Sequence, residues 1–294
     1  MYVYLNGSLI PASEAKTSVF DHGFLYGDGI YETLRVYDGV VFMFDEHLER
    51  LHRSASLISL DIGRSPSEIR AAVYDTLSAN DLRHAYLRIT VSRGPGPLGL
   101  DPDLCKEPTF LIVTNAFKHY PASFYSHGVT VIVSSVRRNL REALNPQIKS
   151  LNFLNNILAK IEARQRGADE ALMLNASSHI AEGTVSNVFF VSGGVLCTPA
   201  VECGILDGIT RGVVINLAVR NGMSLREGCF TVEQLRTSSE VFITNTSMEV
   251  TPVAKVDDTS YPVGEVTKLL MKAYAREVAG YVKDRRGESS SLWE

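Results

Sequence analysis

The first third of the chain alternates apolar and polar residues with a period of two, which predicts β-hairpins. One hairpin is expected in residues 2–10, turning at Asn6-Gly7, and a second in residues 30–44, turning at Asp38-Gly39. Strands are also expected at 85–92 and 109–117, separated by a stretch rich in glycine and proline. Together these segments predict a β-sheet near the N-terminus.

Elsewhere the apolar residues recur every three or four positions, which predicts helices. Asp45 is the expected N-cap of the first helix, which has Leu48, Leu51, Ala55 and Ile58 on one face. In the helix expected at 152–166, the apolar face consists of Leu154, Ile157, Leu158 and Ile161. Three further helices are expected at 67–79, 211–221 and 263–281, and five strands near 129–136, 170–175, 187–192, 224–230 and 240–245.

Residues 118–128 are polar, contain a proline and follow neither period, which predicts a domain boundary. The pattern therefore predicts an α/β protein with a smaller N-terminal domain at 1–117 and a larger one at 129–282. The last residues, 283–294, are polar and rich in serine, and we expect a frayed tail there.

The composition is that of a globular protein, since 45% of the 294 residues are hydrophobic and 21% are charged. A formal net charge of −4 gives no reason to expect nucleic acid or an anionic membrane as partner. No apolar stretch is long enough to span a bilayer, and the four cysteines and seven histidines show no metal-ligand spacing. We therefore expect a cytoplasmic protein with reduced cysteines and no metal site.

Lys149 and Glu182 are the candidate reactive groups. Lys149 precedes a predicted helix, and Glu182 opens a β-rich segment 33 positions later. A pyridine cofactor that carries an aldehyde needs both groups, because an amine forms its Schiff base and a carboxylate keeps its ring nitrogen protonated. A lysine beside a helix is more commonly a solvated surface residue, so the hypothesis depends on the surrounding motifs.

Three segments contain groups that suit a phosphate. Thr210 is the expected N-cap of the helix at 211–221, and the free N–H groups of a first helical turn bind anions. Arg50, one turn into the first helix, offers a guanidinium fork, and Thr246 and Ser247 offer hydroxyls at a strand end. Each signal is weak alone, since plain capped helices and surface arginines are common.

Arg35 and Arg88 both lie within predicted strands, where an arginine faces solvent or meets an anion such as a substrate carboxylate. Tyr26, Tyr31 and Phe153 are either core aromatics or walls of a binding pocket.

Taken in order, six motifs resemble those of the class IV, or fold type IV, aminotransferases that use pyridoxal 5′-phosphate. They are YGDGIYETLRVYDG (26–39), EHLERLHRSA (46–55), IKSLNFLNNILAK (148–160), EGTVSNVFFV (182–191), GITRGVVI (208–215) and TNTSMEVTPV (244–253).

The resemblance implies a role for each matched residue. Lys149 would be the Schiff-base lysine, Glu182 would pair with the pyridine nitrogen, and Leu206 would pack against a face of the ring. The phosphate would be held by Arg50, the backbone of Ile209 and Thr210, and the Thr246 hydroxyl. Substrate contacts are expected from Tyr26, Tyr31, Arg35, Arg88, Phe153 and Ser247. The resemblance also implies two α/β domains with the cofactor between them, and a homodimer whose pocket takes residues from both subunits.

Within the family, YLRITVSRGPGPLGLDP (86–102) is most similar to the branched-chain aminotransferases. We therefore predict transamination of leucine, isoleucine or valine with 2-oxoglutarate, with Arg88 meeting the second carboxylate of the acceptor. A D-amino-acid (or R-amine) aminotransferase is an alternative, although the Arg-x-His pair expected of the D-amino-acid enzymes is absent from this loop. An aminodeoxychorismate lyase is another, which Asn245 and Met248 favour. Thr33 replaces a glycine usual in branched-chain enzymes and would narrow the pocket floor.

Overall fold

The structure is a computed structural model that describes residues 1–289, so residues 290–294 of the predicted tail lie outside the described residues. The chain divides into two compact units. The first comprises Met1–Lys118, Ile148–Asn152 and the chain from Val278 onward, and the second comprises His119–Gln147 and Phe153–Glu277.

The first unit is built on a six-stranded antiparallel sheet with the strand order β2-β1-β6-β5-β3-β4. Its elements are β1 (Tyr2–Leu5), β2 (Ser8–Pro11), α1 (His22–Tyr26), β3 (Gly29–Tyr37), β4 (Val40–Val41), α2 (Phe44–Leu57), α3 (Pro66–Ala79), β5 (Ala85–Ser92) and β6 (Thr109–Ala116).

The two faces of this sheet differ in chemistry because neighbouring residues of a strand point to opposite faces. The core face carries apolar residues such as Ile30, Leu34, Leu87 and Ile112, which share one buried cluster with residues of α2 and α3. The opposite face of β3 and β5 carries polar and aromatic side chains: Tyr31, Thr33, Arg35, Tyr86, Arg88 and Thr90. This second face holds several of the predicted site residues.

Both predicted hairpins are confirmed. Leu5 pairs with Ser8 and Tyr37 with Val40, and the turn residues Asn6-Gly7 and Asp38-Gly39 all have positive φ.

The predicted N-cap of α2 is wrong, because the helix begins at Phe44 after Met43, which is in the left-handed conformation at φ 50°. Asp45 lies in the first turn, where its carboxylate pairs with Arg70 at 2.5 Å. An acidic side chain there is stabilised by the helix dipole without capping the helix.

The second unit is built on a mixed sheet with the order β12-β11-β10-β13-β14-β7-β8-β9, and β15 pairs with β14. Its elements are α4 (Ala122–Ser126), β7 (Val129–Val133), α5 (Leu154–Gln165), β8 (Glu170–Leu174), β9 (Ile180–Gly183), β10 (Asn187–Ser192), β11 (Val195–Pro199), α6 (Ile209–Arg220), β12 (Leu225–Gly228), α7 (Val232–Arg236), β13 (Glu240–Asn245), β14 (Glu249–Val256), β15 (Thr259–Ser260) and α8 (Glu265–Ser289). The last turns of α8 belong to the first unit.

Three expectations differ from this arrangement. The predicted interdomain loop contains α4 and belongs to the second unit, whereas Lys149, placed by sequence in the C-terminal domain, belongs to the first. The predicted tail at 283 is instead helical through Ser289, because α8 continues. Within residues 1–289, no helix combines the length and the apolar character needed to cross a membrane.

Candidate active site

The segment that carries Lys149 is held against the beginning of β3 by backbone hydrogen bonds. The Tyr31 N–H donates to the Lys149 carbonyl at 2.9 Å, and the Leu151 N–H donates to the Gly29 carbonyl at 2.9 Å. A Cβ on Gly29 would lie 2.6 Å from the Val91 carbonyl oxygen of β5 and 2.7 Å from Leu151 Cδ1 of the lysine segment, so a residue without a side chain fits best between them. The glycine of the GDG sequence thus lets the lysine segment pair with the strand.

The Lys149 side chain lies on the polar face of the sheet. Its Nζ donates a hydrogen bond to the Tyr31 hydroxyl at 3.0 Å and lies 4.4 Å from the centroid of that ring. Its backbone N–H donates to Ser54 Oγ on α2 at 3.2 Å. The structure therefore brings together the predicted Schiff-base lysine and the predicted aromatic wall, Tyr31.

Arg88 joins this group from the neighbouring strand. Its guanidinium carbon lies 3.9 Å from the centroid of the Tyr31 ring, and its Nε donates to Thr90 Oγ1 at 3.1 Å. Thr33, which lies opposite Arg88, shares a hydrogen bond with the Tyr86 hydroxyl at 3.3 Å. An amine and a guanidinium beside one tyrosine make this part of the face favourable for an anion.

Two other predicted substrate residues of this unit are placed elsewhere. Arg35 is buried, with its guanidinium over the rings of Tyr37 and Phe117, about 13 Å along the strand from Tyr31. Tyr26 is 37% exposed at the end of α1, and its hydroxyl accepts a hydrogen bond from the Gly99 N–H at 3.2 Å. Arg35 lies on the same sheet face as Tyr31, and Tyr26 lies on α1, outside the sheet.

Arg50 is not a surface arginine, since only 4% of it is exposed. Its Nε and Nη2 donate to the two carboxylate oxygens of Glu32 at 2.7 and 2.8 Å. His47 Nδ1 donates to Glu32 Oε2 at 2.7 Å. Arg50 precedes Ser54 by one helical turn, so this buried pair lies on the stripe of α2 that also contacts the Lys149 backbone.

In the second unit, Glu182 lies on β9, where Arg138, Asn187 and the Leu206 N–H donate to it. Arg138 Nε donates to Oε1 at 2.8 Å, while the Leu206 N–H and Asn187 Nδ2 donate to Oε2 at 3.0 and 3.2 Å. Arg138 Nη1 also donates to Asn156 Oδ1 on α5 at 3.3 Å. The carboxylate is thus fixed in position and direction.

Asn187, which binds Glu182, also contacts Leu206 and lies beside the beginning of α6. The Leu206 carbonyl accepts a hydrogen bond from Asn187 Nδ2 at 3.0 Å, so both backbone groups of Leu206 are held. Gly208 is the N-cap of α6, and a Cβ there would lie 2.0 Å from Asn187 Oδ1. The prediction that Thr210 is the N-cap is therefore wrong, because Thr210 lies in the first turn.

The first turn of α6 keeps the features of an anion site. Gly208 supplies no side-chain cap, so the N–H groups of Ile209 and Thr210 receive no acceptor from it. These N–H groups are the backbone atoms predicted to bind phosphate.

Thr246 and Ser247 lie in the turn after β13, as the strand-end prediction requires. Asn245 Oδ1 accepts from the Ser247 and Met248 N–H groups at 2.9 and 2.7 Å, which closes this turn. Thr244, two residues before Thr246, pairs with Asn187, which contacts Leu206. Phe153 precedes α5 as its N-cap residue, half-buried, three positions before Asn156.

Sequence reasoning missed the partners of the charged groups. The sequence did contain a signal for Glu32. In β3 it lies on the same sheet face as the buried residues Ile30 and Leu34, and a carboxylate buried there requires a partner. No local signal distinguishes Arg138 within its arginine-rich loop, or Asn187 within its strand, because their roles depend on contacts made in the folded unit.

Comparisons with known proteins identify a family. The sequence profile described as amino-transferase class IV matches residues 29–256. A Methanocaldococcus jannaschii protein, provisionally named as a branched-chain-amino-acid aminotransferase, is 46% identical over 277 residues, covering 93% of this chain and 95% of its own.

Other relatives carry different names. An aminodeoxychorismate lyase of Bacillus subtilis is 34% identical over 98% of both chains. A D-alanine aminotransferase of Listeria monocytogenes is 34% identical over 95% of this chain and 96% of its own. The solved branched-chain aminotransferase of Thermoproteus uzoniensis with norvaline superposes with a TM-score of 0.91 at 35% identity, covering 96% and 97% of the two chains.

Proposed function

The chain belongs to the class IV aminotransferases, which are enzymes dependent on pyridoxal 5′-phosphate, and we propose that it transfers the amino group of branched-chain L-amino acids to 2-oxoglutarate. The observation that carries this proposal is the face of β3 and β5 beside Lys149. It offers the Tyr31 ring and the Arg88 guanidinium next to the amine. The similarity to the M. jannaschii and T. uzoniensis proteins supports the same substrate class.

The residues present fit the cofactor. Lys149 provides an amine for its aldehyde carbon, and Glu182 provides an anchored carboxylate for its ring nitrogen. Gly208, where a side chain would collide with Asn187, leaves the first turn of α6 open to a phosphate. We propose that Arg50 and the Thr246 hydroxyl complete the phosphate contacts and that Leu206 packs against the ring. When bound, the cofactor supplies a ring that accepts the electrons released at the substrate Cα.

Lys149 has two roles in this proposal. Its amine would hold the cofactor covalently when the cofactor is bound, and when free it would take the proton from the substrate Cα and return it during transfer. The hydrogen bond to the Tyr31 hydroxyl directs Nζ while leaving the four-carbon side chain able to turn.

Glu182 keeps the ring nitrogen protonated. A carboxylate suits this role when it is held in a fixed direction, and the donors Arg138, Asn187 and the Leu206 N–H hold it so. Arg138 forms an ion pair with this carboxylate, since its Nε lies 2.8 Å from Glu182 Oε1.

Substrate recognition requires a surface that accepts both an apolar side chain and the second carboxylate of 2-oxoglutarate. Arg88 suits this purpose because its guanidinium binds a carboxylate bidentately while its stem packs against apolar groups. Stacking on Tyr31 holds the guanidinium in place. We propose that Arg88 binds the γ-carboxylate, and that Tyr26, Tyr31, Arg35, Phe153 and Ser247 complete the substrate contacts.

The alternatives are weakened by two observations. Asn245, which favours a lyase by sequence, has a local reason to be present, since its side chain closes the turn at Ser247 and Met248. The loop 93–102 lacks the Arg-x-His pair expected of a D-amino-acid enzyme.

A substrate panel tests the proposal. Purified protein loaded with cofactor is mixed separately with L-leucine, L-isoleucine, L-valine, D-alanine, D-glutamate and aminodeoxychorismate. Conversion of the cofactor from its aldehyde to its amine form is followed by absorbance. The branched-chain L-amino acids should react fastest. Faster reaction of D-alanine or D-glutamate supports the D-amino-acid function, and release of pyruvate with 4-aminobenzoate supports the lyase.

We also propose a homodimer. On α5 the predicted apolar face does not enter the core of the second unit: Leu154, Ile157, Leu158 and Ile161 are 68%, 49%, 48% and 46% exposed, whereas Ala159 and Ala163 are fully buried. A continuous exposed apolar stripe is characteristic of an interaction surface, and a second copy of the chain is the occupant that we propose.

Sedimentation velocity tests this interface. The double variant Ile157→Asp, Ile161→Asp should sediment as a monomer, because a charge in a desolvated apolar contact is costly. Val219→Asp is the control, because Val219 is an apolar residue of α6 that is 60% exposed and lies outside the stripe on α5. This variant should remain dimeric. A dimeric double variant would show that the stripe on α5 is not the interface.

A cytoplasmic location is proposed as well. All four cysteines are free thiols, which suits a reducing compartment. Fractionation of cells expressing the chain with a terminal tag tests it, and recovery outside the cytoplasmic fraction would contradict it.

A further inference from the structure

The buried cluster of Glu32, His47 and Arg50 contains charges that core packing does not require. Glu32 is fully buried, and His47 and Arg50 are 2% and 4% exposed. Along β3, Glu32 lies between Ile30 and Leu34 on the sheet face that is otherwise apolar. Burying an ion pair gains little stability compared with apolar residues of similar size, so the cluster calls for another explanation.

The protonation states in the cluster are well defined. Burial alone would raise the pKa of Glu32, but the Arg50 guanidinium and the hydrogen bonds from Arg50 and His47 hold that pKa far below its ordinary value. Burial lowers the pKa of His47, and the Glu32 carboxylate only partly opposes this. At neutral pH the cluster therefore consists of a carboxylate, a guanidinium and a neutral imidazole that donates from Nδ1.

The pairing fixes the direction of the guanidinium. The Nε and Nη2 groups of Arg50 both point at Glu32, so the plane and the rotation of the fork are set by two hydrogen bonds. Nη1 is on the other edge of the fork. Because Arg50 and Ser54 are four residues apart on α2, and Ser54 contacts the Lys149 backbone, this arginine is adjacent to the lysine segment.

We infer that Glu32 is a positioning residue, which holds the Arg50 guanidinium oriented toward the phosphate of the cofactor. The inference rests on the proposed function, because it assumes that Arg50 contacts that phosphate. An arginine without this carboxylate would still be charged, but it would sample several rotamers and would have to be ordered when the phosphate binds. Glu32 removes that cost in advance.

The neighbouring residues of β3 give this arrangement a second consequence. Tyr31 and Thr33 lie on the opposite sheet face, where Tyr31 is hydrogen-bonded to Lys149 and Thr33 to Tyr86. Three consecutive residues of β3 thus make different contacts: Tyr31 with the Lys149 amine, Glu32 with Arg50, and Thr33 with the proposed substrate face. A displacement of β3 would therefore disturb all three residues together.

A double-mutant cycle on cofactor affinity tests the inference. Apoprotein of the wild type, Glu32→Gln, Arg50→Gln and the double variant is titrated with pyridoxal 5′-phosphate, and dissociation constants are obtained from quenching of intrinsic fluorescence. Arg50→Gln should weaken binding by about ten- to a hundredfold, and Glu32→Gln by about tenfold. The double variant should bind no more weakly than Arg50→Gln, because Glu32 acts only through Arg50.

The pH dependence of the bound phosphate supplies a readout that general destabilisation does not change. In the wild type, the phosphorus resonance of the bound cofactor should not vary between pH 6 and pH 8, since an oriented guanidinium keeps the phosphate dianionic. In Glu32→Gln it should titrate. Glu240→Gln, which alters a buried carboxylate that caps α8, is the matched control and should leave both the affinity and the resonance unchanged.

The outcomes are distinguishable. If losses in the double variant are additive, or if Glu32→Gln binds as tightly as the wild type, Glu32 is a structural residue only. If Glu32→Gln does not fold, Glu32→Asp replaces it: it retains the charge but shortens its reach, and unchanged affinity and resonance there would equally overturn the inference. If the wild type does not bind pyridoxal 5′-phosphate, the proposed function fails, and this inference fails with it.

Discussion

The two candidate reactive groups, Lys149 in the first unit and Glu182 in the second, are held in different ways. The Lys149 amine makes one hydrogen bond among the described residues, to the Tyr31 hydroxyl at 3.0 Å. The Glu182 carboxylate accepts from Arg138, Asn187 and the Leu206 N–H, so both of its oxygens are occupied.

This difference matches the work that each group has to do. A residue that bonds to a cofactor, leaves it and then moves a proton needs freedom to turn, and one hydrogen bond leaves that freedom. A residue that only has to present a fixed negative charge acts best when it is preorganised, because no reorganisation is then needed during the reaction. Substitutions of Lys149 and Glu182 test this contrast between a mobile and a fixed group.

The largest effect is expected from Lys149→Ala. This change removes both the covalent attachment and the proton carrier, so turnover should fall at least about a thousandfold. In the wild type, borohydride reduction of the loaded protein should fix the cofactor to the peptide that contains Lys149, as peptide mapping would show. Lys160→Ala, in the same motif, is the control and should keep both label and turnover. Label on any other lysine would disprove the assignment.

The next largest effect is expected from Glu182→Gln. The amide preserves the size of the side chain but cannot keep a pyridine nitrogen protonated, so kcat should fall by about a hundredfold. Cofactor affinity should change little, since the phosphate contacts remain. Comparison of kcat with the cofactor dissociation constant checks this, and near-normal turnover would mean that the clamp around Glu182 is structural only.

A smaller and selective effect is expected from Arg88→Ala. Loss of the guanidinium should slow the half-reaction with L-glutamate by about tenfold or more, while the half-reaction with L-leucine, which has no second carboxylate, should change less. Single-turnover kinetics on each substrate separately measure the two. Thr90→Ala, which removes only the hydroxyl that Arg88 contacts, serves as the control for local packing. Equal losses on both substrates would contradict the assigned role of Arg88.

The smallest effect is expected in the pH dependence of the free energy of unfolding, through His47. The pKa of His47 is lowered in the folded protein by burial, with Glu32, Arg50 and Lys149 as its charged neighbours. A lowered pKa means that the unfolded chain takes up the proton first, so stability is full above about pH 6.5 and is lost as the pH falls. The slope from this group is at most about 1.4 kcal/mol per pH unit.

Urea unfolding at pH 7.5, 6.5 and 5.5 measures this loss of stability. The wild type should lose stability faster on acidification than His47→Asn, whose amide keeps a donor near the Nδ1 position but does not titrate. Equal slopes in the two proteins would show that His47 does not contribute.

Prediction from sequence succeeded where short-range rules decide the structure. Asn6-Gly7 and Asp38-Gly39 turn hairpins because their residues tolerate positive φ, which is a local property. It failed at two N-caps: Asp45 and Thr210 are residue types that cap helices, but Met43 and Gly208 hold those positions. In each case the incoming backbone, and for Gly208 the collision that a side chain would make with Asn187, decided where the helix begins.

The sequence by itself determined the alternation of apolar and polar residues, and with it the sheet of the first unit and the amphipathic face of α5. Ordered motifs also indicated the family and the residues that we propose as its reactive groups. Only the tertiary structure decided which charges meet: Glu32 with Arg50, Glu182 with Arg138, and Lys149 with Tyr31. These partners are 18, 44 and 118 residues apart, and no local pattern encodes such contacts. They form because a charge that the fold buries must be satisfied by whatever group the packed strands and helices bring within reach.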